Sequence, residues 1–199
     1  MIYLVRHGET VWNAEQRRQG RGDSPLTEKG IAQSRALGRT LKTMLESEKS
    51  ITLVTSPAGR SRRTAAIIAE ELGIAHERIQ TTPLLQEMDF GGWQGLTDAE
   101  IADQFPEQWR ERELNRWFFV YPDGESYPVL CSRVAQWMET AQNQHGVIVA
   151  VTHQWTSRAI RGQYLRLPKE DMFELMHAPE HIIELRNNEQ RVFRVHEED

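Results

Sequence analysis

The chain begins Met1-Ile2-Tyr3-Leu4-Val5-Arg6-His7-Gly8-Glu9-Thr10, and this stretch decides the fold class. A short apolar run stops at an Arg-His pair and is followed at once by glycine. Such a run reads as a buried strand, the kind found in sheets covered on both faces. In open α/β sheets, ligands bind just beyond the carboxyl ends of the strands. That is where Arg6 and His7 fall. A second run, Val147-Ile148-Val149-Ala150-Val151-Thr152, has the same form and ends at His153. Two strands that each bring a histidine to one sheet edge predict a single site with two imidazoles.

Outward from these runs, strands and helices alternate. Strand 2–6 leads into a polar loop over 8–26. A helix starts at Thr27, whose hydroxyl can cap it, with Glu28 near its positive end. Leu37, Leu41 and Met44 form its buried face. Strand 51–55 follows, and Ser56-Pro57 reads as an N-cap with proline in the first turn. The next helix presents Ala65, Ile68, Ala69 and Leu72, and Gly73 ends it. A short strand near 78–82 precedes Pro83. A helix from Ser126 to about Asn143 buries Leu130, Val134, Trp137 and Ala141. Strand 147–152 and a helix over 154–166 come next. Strands near 181–186 and 191–196, joined through Asn187-Asn188, read as a hairpin. Alternating βα units imply a mainly parallel sheet with helices on both faces, a three-layer α/β/α architecture. Segment 88–126 breaks the rhythm with Gly91, Gly92, Gly95, Pro106, Pro122 and Gly124. It reads as short helices and loops inserted over the sheet edge, within one domain spanning 1–199. Its aromatics Trp109, Trp117, Phe118 and Phe119 fit a core more often than a pocket, although their place in the insertion also suits a lid.

The 199 residues suffice for one domain with a substantial core. A net charge of −5 argues against general nucleic-acid or membrane-surface binding. Residues 1–63 nevertheless hold 12 Lys/Arg against 6 Asp/Glu, which suggests a local anion site. Cys131 is the single cysteine, so no disulfide can form within the chain. The first apolar run is too short for a secretory leader and meets Arg6 at once, so a cytoplasmic location is the expectation. Oligomeric state is open. His76, His145, His177, His181 and His196 show no close metal-ligand spacing, and packing or surface roles suit them.

Several blocks now occur in order. Arg6-His7-Gly8-Glu9-Thr10 is followed by Arg18-Gln19-Gly20 and Asp23-Ser24-Pro25-Leu26-Thr27. Ser56-Pro57 runs through Arg60 to Thr64-Ala65. Glu87-Met88-Asp89-Phe90-Gly91-Gly92-Trp93, Pro122-Asp123-Gly124-Glu125-Ser126 and Thr152-His153 complete the set. With these blocks the chain resembles the histidine phosphatase superfamily, in its phosphoglycerate mutase-like branch, over nearly its whole length. The resemblance implies a catalytic set of His7, Arg6, Arg60, Glu87 and His153. His7 would attack phosphorus and carry the phosphate as phosphohistidine. Arg6, Arg60 and His153 would surround the phosphate, and Glu87 would protonate the leaving oxygen. Guanidinium groups suit phosphate because they are planar, permanently charged and often bidentate. Neighbouring arginines should pull the His7 pKa down, keeping the nucleophile neutral.

By motif position, Gly8, Asn13, Gln19, Gly20, Arg21, Arg62 and Gln154 are the expected substrate-binding residues. Arg17, Arg18 and Arg21 share the basic loop, and Arg21 is the one expected to hold a second anionic group. For Arg21 and Arg62 an ordinary solvated charge is as good a reading. The chemistry calls for no metal and no cofactor, and the expected partner is a small phosphorylated molecule. The family usually has glycine after the second histidine, where this chain has Gln154 and then Trp155. Histidine followed by glutamine resembles the sugar-bisphosphatase branch instead. The leading expectation is a metal-independent phosphatase for a small phosphate monoester. A phosphoglycerate-type mutase and a catalytically weak phospho-ligand binding module are the alternatives.

Overall fold

The computed structural model describes residues 1–196, so the last three residues of the expected 1–199 domain lie outside the described residues. Strands β1 (Ile2–Arg6), β2 (Ile51–Thr55), β3 (Gln80–Thr81), β4 (Val147–Thr152), β5 (His181–Arg186) and β6 (Glu189–Arg194) form one sheet. Their order is β3-β2-β4-β1-β5-β6, with β1 to β4 parallel and the β5–β6 hairpin antiparallel. The hairpin turns on Asn187 and Asn188, at φ 53° and 60°, a pair of left-handed residues whose twist matches that of the flanking strands.

Helices in chain order are α1 (Val11–Ala14), α2 (Glu28–Met44), α3 (Gly59–Leu72), α4 (Asp98–Gln104), α5 (Pro106–Leu114), α6 (Tyr127–Gln142), α7 (Gln154–Tyr164) and α8 (Lys169–Met172). Strand side chains alternate between faces, and the core divides accordingly. Tyr3 and Val5 of β1 join Val149 and Val151 in packing against Leu37, Leu41, Ala65 and Ile68 of α2 and α3. Leu4, with Ile148 and Ala150, packs on the other face against Leu130, Val134 and Trp137 of α6 and Ala159 and Ile160 of α7. The result is the expected three layers. Met44 and Leu72 are only half-buried, each at the end of its helix.

Several local expectations are corrected. Helix α3 starts at Gly59, and Ser56 does not cap it. The Ser56 hydroxyl is taken by His153 at 2.8 Å, while Asp23 from the distant basic loop accepts the Arg60 amide at 3.2 Å. The strand near 78–82 shrinks to Gln80–Thr81, because His76–Arg78 forms a 3₁₀ turn. Within 88–126, Trp93, Phe119 and Tyr121 are buried in the α6/α7 core, and Trp109 and Trp117 pack against it. Phe118 is 61% exposed. Cys131 is half-buried, and burial pushes its thiol up to about 11.

The Gly8-Glu9 turn touches α2 backbone to backbone. A Cβ on Gly30 would lie 2.0 Å from the Glu9 carbonyl oxygen, and one on Gly8 would lie 2.2 Å from that of Gly30. Neither neighbour is a flexible side chain that can move aside. Gly30→Ala should therefore destabilise the protein by about 1–3 kcal/mol through overpacking. Thermal denaturation should show a Tm lower by several degrees, and an unchanged Tm would refute the close approach.

Candidate active site

Strands β1 and β4 are parallel neighbours in register, with Arg6 opposite Thr152. Their carboxyl ends therefore deliver His7 and His153 side by side, with ring centroids 5.2 Å apart. Both histidines are buried. His7 Nδ1 lies 2.8 Å from the Gly8 carbonyl oxygen, which can only accept, so Nδ1 carries the proton. The lone pair is then on Nε2, which receives the Arg60 Nε–H at 3.2 Å. Burial, then the charges of Arg60 and Arg6, hold the His7 pKa well below the ordinary imidazole value. The ring is thus held neutral in one tautomer, with its lone pair on Nε2. His153 is set the other way round. Its Nδ1 accepts from Arg60 Nη2 at 3.2 Å, and its Nε2–H donates to Ser56 Oγ. Burial, followed by Arg60, lowers its pKa as well.

Arg60 enters from the first turn of α3 and is only 2% exposed. Besides the two histidines, it donates to the carbonyls of Gly20 (2.7 Å) and Gly22 (2.6 Å) and to Asp23 Oδ1 (3.0 Å). All of its N–H donors are therefore engaged. Gly20 turns its carbonyl towards this cation from a left-handed conformation, φ 56°. Arg6 donates Nη1 to the His177 carbonyl at 3.1 Å, while its buried Nε has no protein partner.

Glu87 follows the 3₁₀ turn Pro83–Leu85 and is buried beneath the start of α7. Its Oε2 accepts from the Trp155 amide at 3.1 Å. Its Oε1 accepts from the amides of Met88 and Thr156, both at 3.0 Å, and from Thr156 Oγ1. The carboxylate thus closes the positive end of α7, as a capping side chain does.

These groups line a cleft of about 160 Å³. Arg6, His7, Arg60 and Glu87 form its floor, with Asn13, Gln19 and Gly20 on the loop side. Gln154, Trp155, Phe90, Arg17 and Arg18 complete it. Gln19 uses its amide inward, donating to Thr10 Oγ1 at 2.7 Å and accepting from Ser24. Asn13 Oδ1 accepts from the Thr10 amide.

Other expected residues lie elsewhere. Gly8 does not line the cleft; its carbonyl fixes the His7 tautomer, and its amide donates to Thr64 at 3.1 Å. Arg21 is turned away and paired with Asp89 and Glu125. Arg62 lines a separate groove with Arg63 and His76. His153 is fully buried behind Arg60 and is not a cleft-lining residue. Arg17 and Arg18, rather than the expected Arg21, are the basic-loop arginines at the cleft. Both are already neutralised, Arg17 by Glu15 and Glu100 and Arg18 by Asp98. Arg18 also stands 5.5 Å over the Phe90 ring. Asp23, which orients Arg60, was visible only as part of a motif.

Among the described residues, no three His, Cys, Asp or Glu side chains are grouped to hold a metal ion. Nor is any helix there long and apolar enough to cross a membrane.

The class defined by this fold and this pair of histidines is matched by comparison with known proteins. Residues 2–198 match the family model of the histidine phosphatase superfamily (branch 1). The chain belongs to that superfamily. A Citrobacter koseri protein named "Probable phosphoglycerate mutase GpmB" is 39% identical over 155 residues, covering 75% of this chain and 68% of that protein. The Photorhabdus laumondii protein of the same name is 38% identical over 143 residues, covering 71% of this chain but only 63% of the relative. Among solved structures, the alpha-ribazole phosphatase from Shigella flexneri superposes with a TM-score of 0.81 at 23% identity, covering 98% and 95% of the two chains. Bacillus stearothermophilus YhfR gives 0.77 at 27% identity, covering 97% and 95%.

Three buried neutral histidines make stability depend on pH. His177, fully buried, donates Nε2–H to the His181 carbonyl and accepts from Ser157 at Nδ1. Burial lowers its pKa to about 3. Below the ordinary imidazole pKa of about 6.5, the unfolded chain binds protons that the folded one refuses. The stabilisation from these groups is complete above that value and is lost as pH falls towards the depressed folded values. Urea unfolding between pH 6 and 4.5 should show stability dropping. His177→Gln should flatten the slope by up to about 1.4 kcal/mol per pH unit. An unchanged slope would contradict a neutral, buried His177.

Proposed function

We propose that the protein is a phosphatase that hydrolyses a small phosphate monoester through a phosphohistidine on His7, without a metal. The observation that carries this reading is the fixed neutral tautomer of His7. Its Nε2 lone pair receives the Arg60 Nε–H, in a cleft that Arg6 and Arg60 both line.

The ester phosphate enters between Arg6 and Arg60. Its oxygens give the unpartnered Arg6 Nε an acceptor and take the Arg60 Nε–H away from His7. Nε2 then attacks phosphorus in line as the P–O ester bond breaks, and Glu87, which enters this half as the carboxylic acid and recovers its proton in the second half, protonates the leaving oxygen. Attack leaves the imidazole ring positively charged, and the Gly8 carbonyl on Nδ1–H stabilises that charge. In the second half, water attacks phosphorus, Glu87 takes its proton and the N–P bond breaks. Inorganic phosphate leaves and neutral His7 returns. His153 holds Arg60 from behind and so sets the guanidinium that faces the phosphate. Phosphoryl transfer asks mainly for positioning and charge, and this cleft offers both. Segment 88–126 shapes the outer pocket through Phe90, and through α4, whose Asp98 and Glu100 hold Arg18 and Arg17. We assign the protein to the cytoplasm, with a small phosphorylated molecule as its partner.

A mutase is the second reading, favoured by the names of the relatives. Handling a bisphosphate requires cations for a second phosphate. Of the remaining basic-loop and motif arginines, Arg17, Arg18 and Arg21 are paired with carboxylates and Arg62 stands in another groove. That pairing favours hydrolysis. It also separates this reading from a binding module, which needs neither a tautomer-fixed nucleophile nor Glu87.

A phosphate-ester panel should yield free phosphate at a rate insensitive to chelator, and His7→Ala should lower it by on the order of 10⁴-fold or more. Robust turnover by that variant would sink the mechanism. With 3-phosphoglycerate and its bisphosphate primer, phosphate release should exceed isomerisation. Rapid isomerisation without phosphate loss would establish the mutase, and binding without turnover across the panel would establish the binding module.

A further inference from the structure

Gln154 follows His153 at the start of α7, and it lines the cleft. Its amide, however, is spent on the protein. Nε2 donates to the Leu175 carbonyl at 3.2 Å, and Oε1 accepts from the His177 amide at 2.9 Å. The side chain thus pairs with residues 175–177 much as a neighbouring strand would. The same short strap is held from α7 by Arg158, which donates to the Leu175 carbonyl, and by Arg161, which donates to the Met176 carbonyl at 2.7 Å. The His177 ring anchors its far end through Ser157 and the His181 carbonyl. The free His177 carbonyl accepts Arg6 Nη1 at 3.1 Å. Gln154 therefore stands two hydrogen bonds from Arg6, with the one residue His177 between them, held at its N–H by Gln154 and offering its C=O to Arg6. Glycine at 154 could make neither bond to the strap.

We infer that Gln154 is a positioning residue for Arg6. It holds the strap backbone at Leu175 and at the His177 N–H, and with the anchored His177 ring this sets the His177 carbonyl so that it fixes one Arg6 nitrogen and leaves the buried, unpartnered Nε for a phosphate oxygen. A carbonyl acceptor orients a guanidinium without neutralising it, as a carboxylate would. The Arg6 charge is thereby left without a hydrogen-bonded carboxylate and is available to its ligand, whereas the charges of Arg17 and Arg18 are offset by carboxylate partners. The inference rests on the proposed phosphate site but not on turnover.

A double-mutant cycle tests it, with inorganic phosphate as the probe and calorimetric affinity as the readout. Gln154→Met keeps the side-chain length and removes both bonds. It should weaken phosphate binding about tenfold in the wild-type background and less than about twofold in Arg6→Gln, the non-additivity expected of groups in one network. With an active ester, the loss should fall mainly on KM. If Gln154→Met unfolds, Gln154→Leu, which also lacks both bonds and adds no charge, should show the same non-additivity. Equal losses in both backgrounds would mean that Gln154 touches the ligand directly, and no loss in either would mean that it merely fills space. Both results overturn the inference. Wild-type protein that binds phosphate but turns over no ester removes the phosphatase reading and leaves the cycle valid. Wild-type protein that binds no phosphate overturns both.

Discussion

The site depends on one buried guanidinium. A cation as enclosed as Arg60 is tolerated only if its hydrogen-bonding groups are satisfied. Five acceptors from three separate stretches of chain meet that demand: His7, His153, and the Gly20, Gly22 and Asp23 groups of the basic loop. Satisfying Arg60 therefore fixes the loop that walls the cleft, and with it Gln19 and Gly20. It also sets the two imidazoles. Each presents a lone pair to the cation and turns its N–H away, His7 to Gly8 and His153 to Ser56. The electrostatics follow from this geometry, since neither ring can take a proton beside that charge without losing its bond.

The sheet makes this convergence possible. Parallel strands all end on one edge, and the β1–β4 register sets the two histidines at equal height. Arg60 reaches them from the start of α3, after β2, the other neighbour of β4. Glu87 comes from the chain that follows β3 and is held by the first amides of α7. The groups that matter thus sit at strand ends or helix starts. There backbone amides and carbonyls are free to orient side chains, and substrate can approach from solvent.

The parts legible in the sequence were those written in local chemistry. The apolar runs 2–6 and 147–152, the periodic faces of α2, α3 and α6, and the Asn187-Asn188 turn each carry their signal within a few residues. The Arg6-His7 and Thr152-His153 blocks carried the site for the same reason. Partnership across the chain left no such trace. Ser56 resembles a helix cap and instead holds His153, which lies 97 positions away. Arg21 looks as free as Arg17 or Arg18, and only the folded segment 88–126 shows which carboxylates each one meets. Gln154 resembled a ligand residue because its partners, at 175 and 177, belong to an irregular strap with no periodic pattern. The aromatics of 88–126 were ambiguous between core and lid, because burial depends on how α4 and α5 lie against α6 and α7.

The central claim is that His7 Nε2 carries the phosphate. Rapid quenching with a turned-over phosphate ester, followed by nitrogen- and phosphorus-detected NMR of the trapped protein, tests it directly. An acid-labile, base-stable phosphate is expected on His7 at Nε2. Phosphate on Nδ1, on another side chain, or on no residue during steady turnover would contradict it.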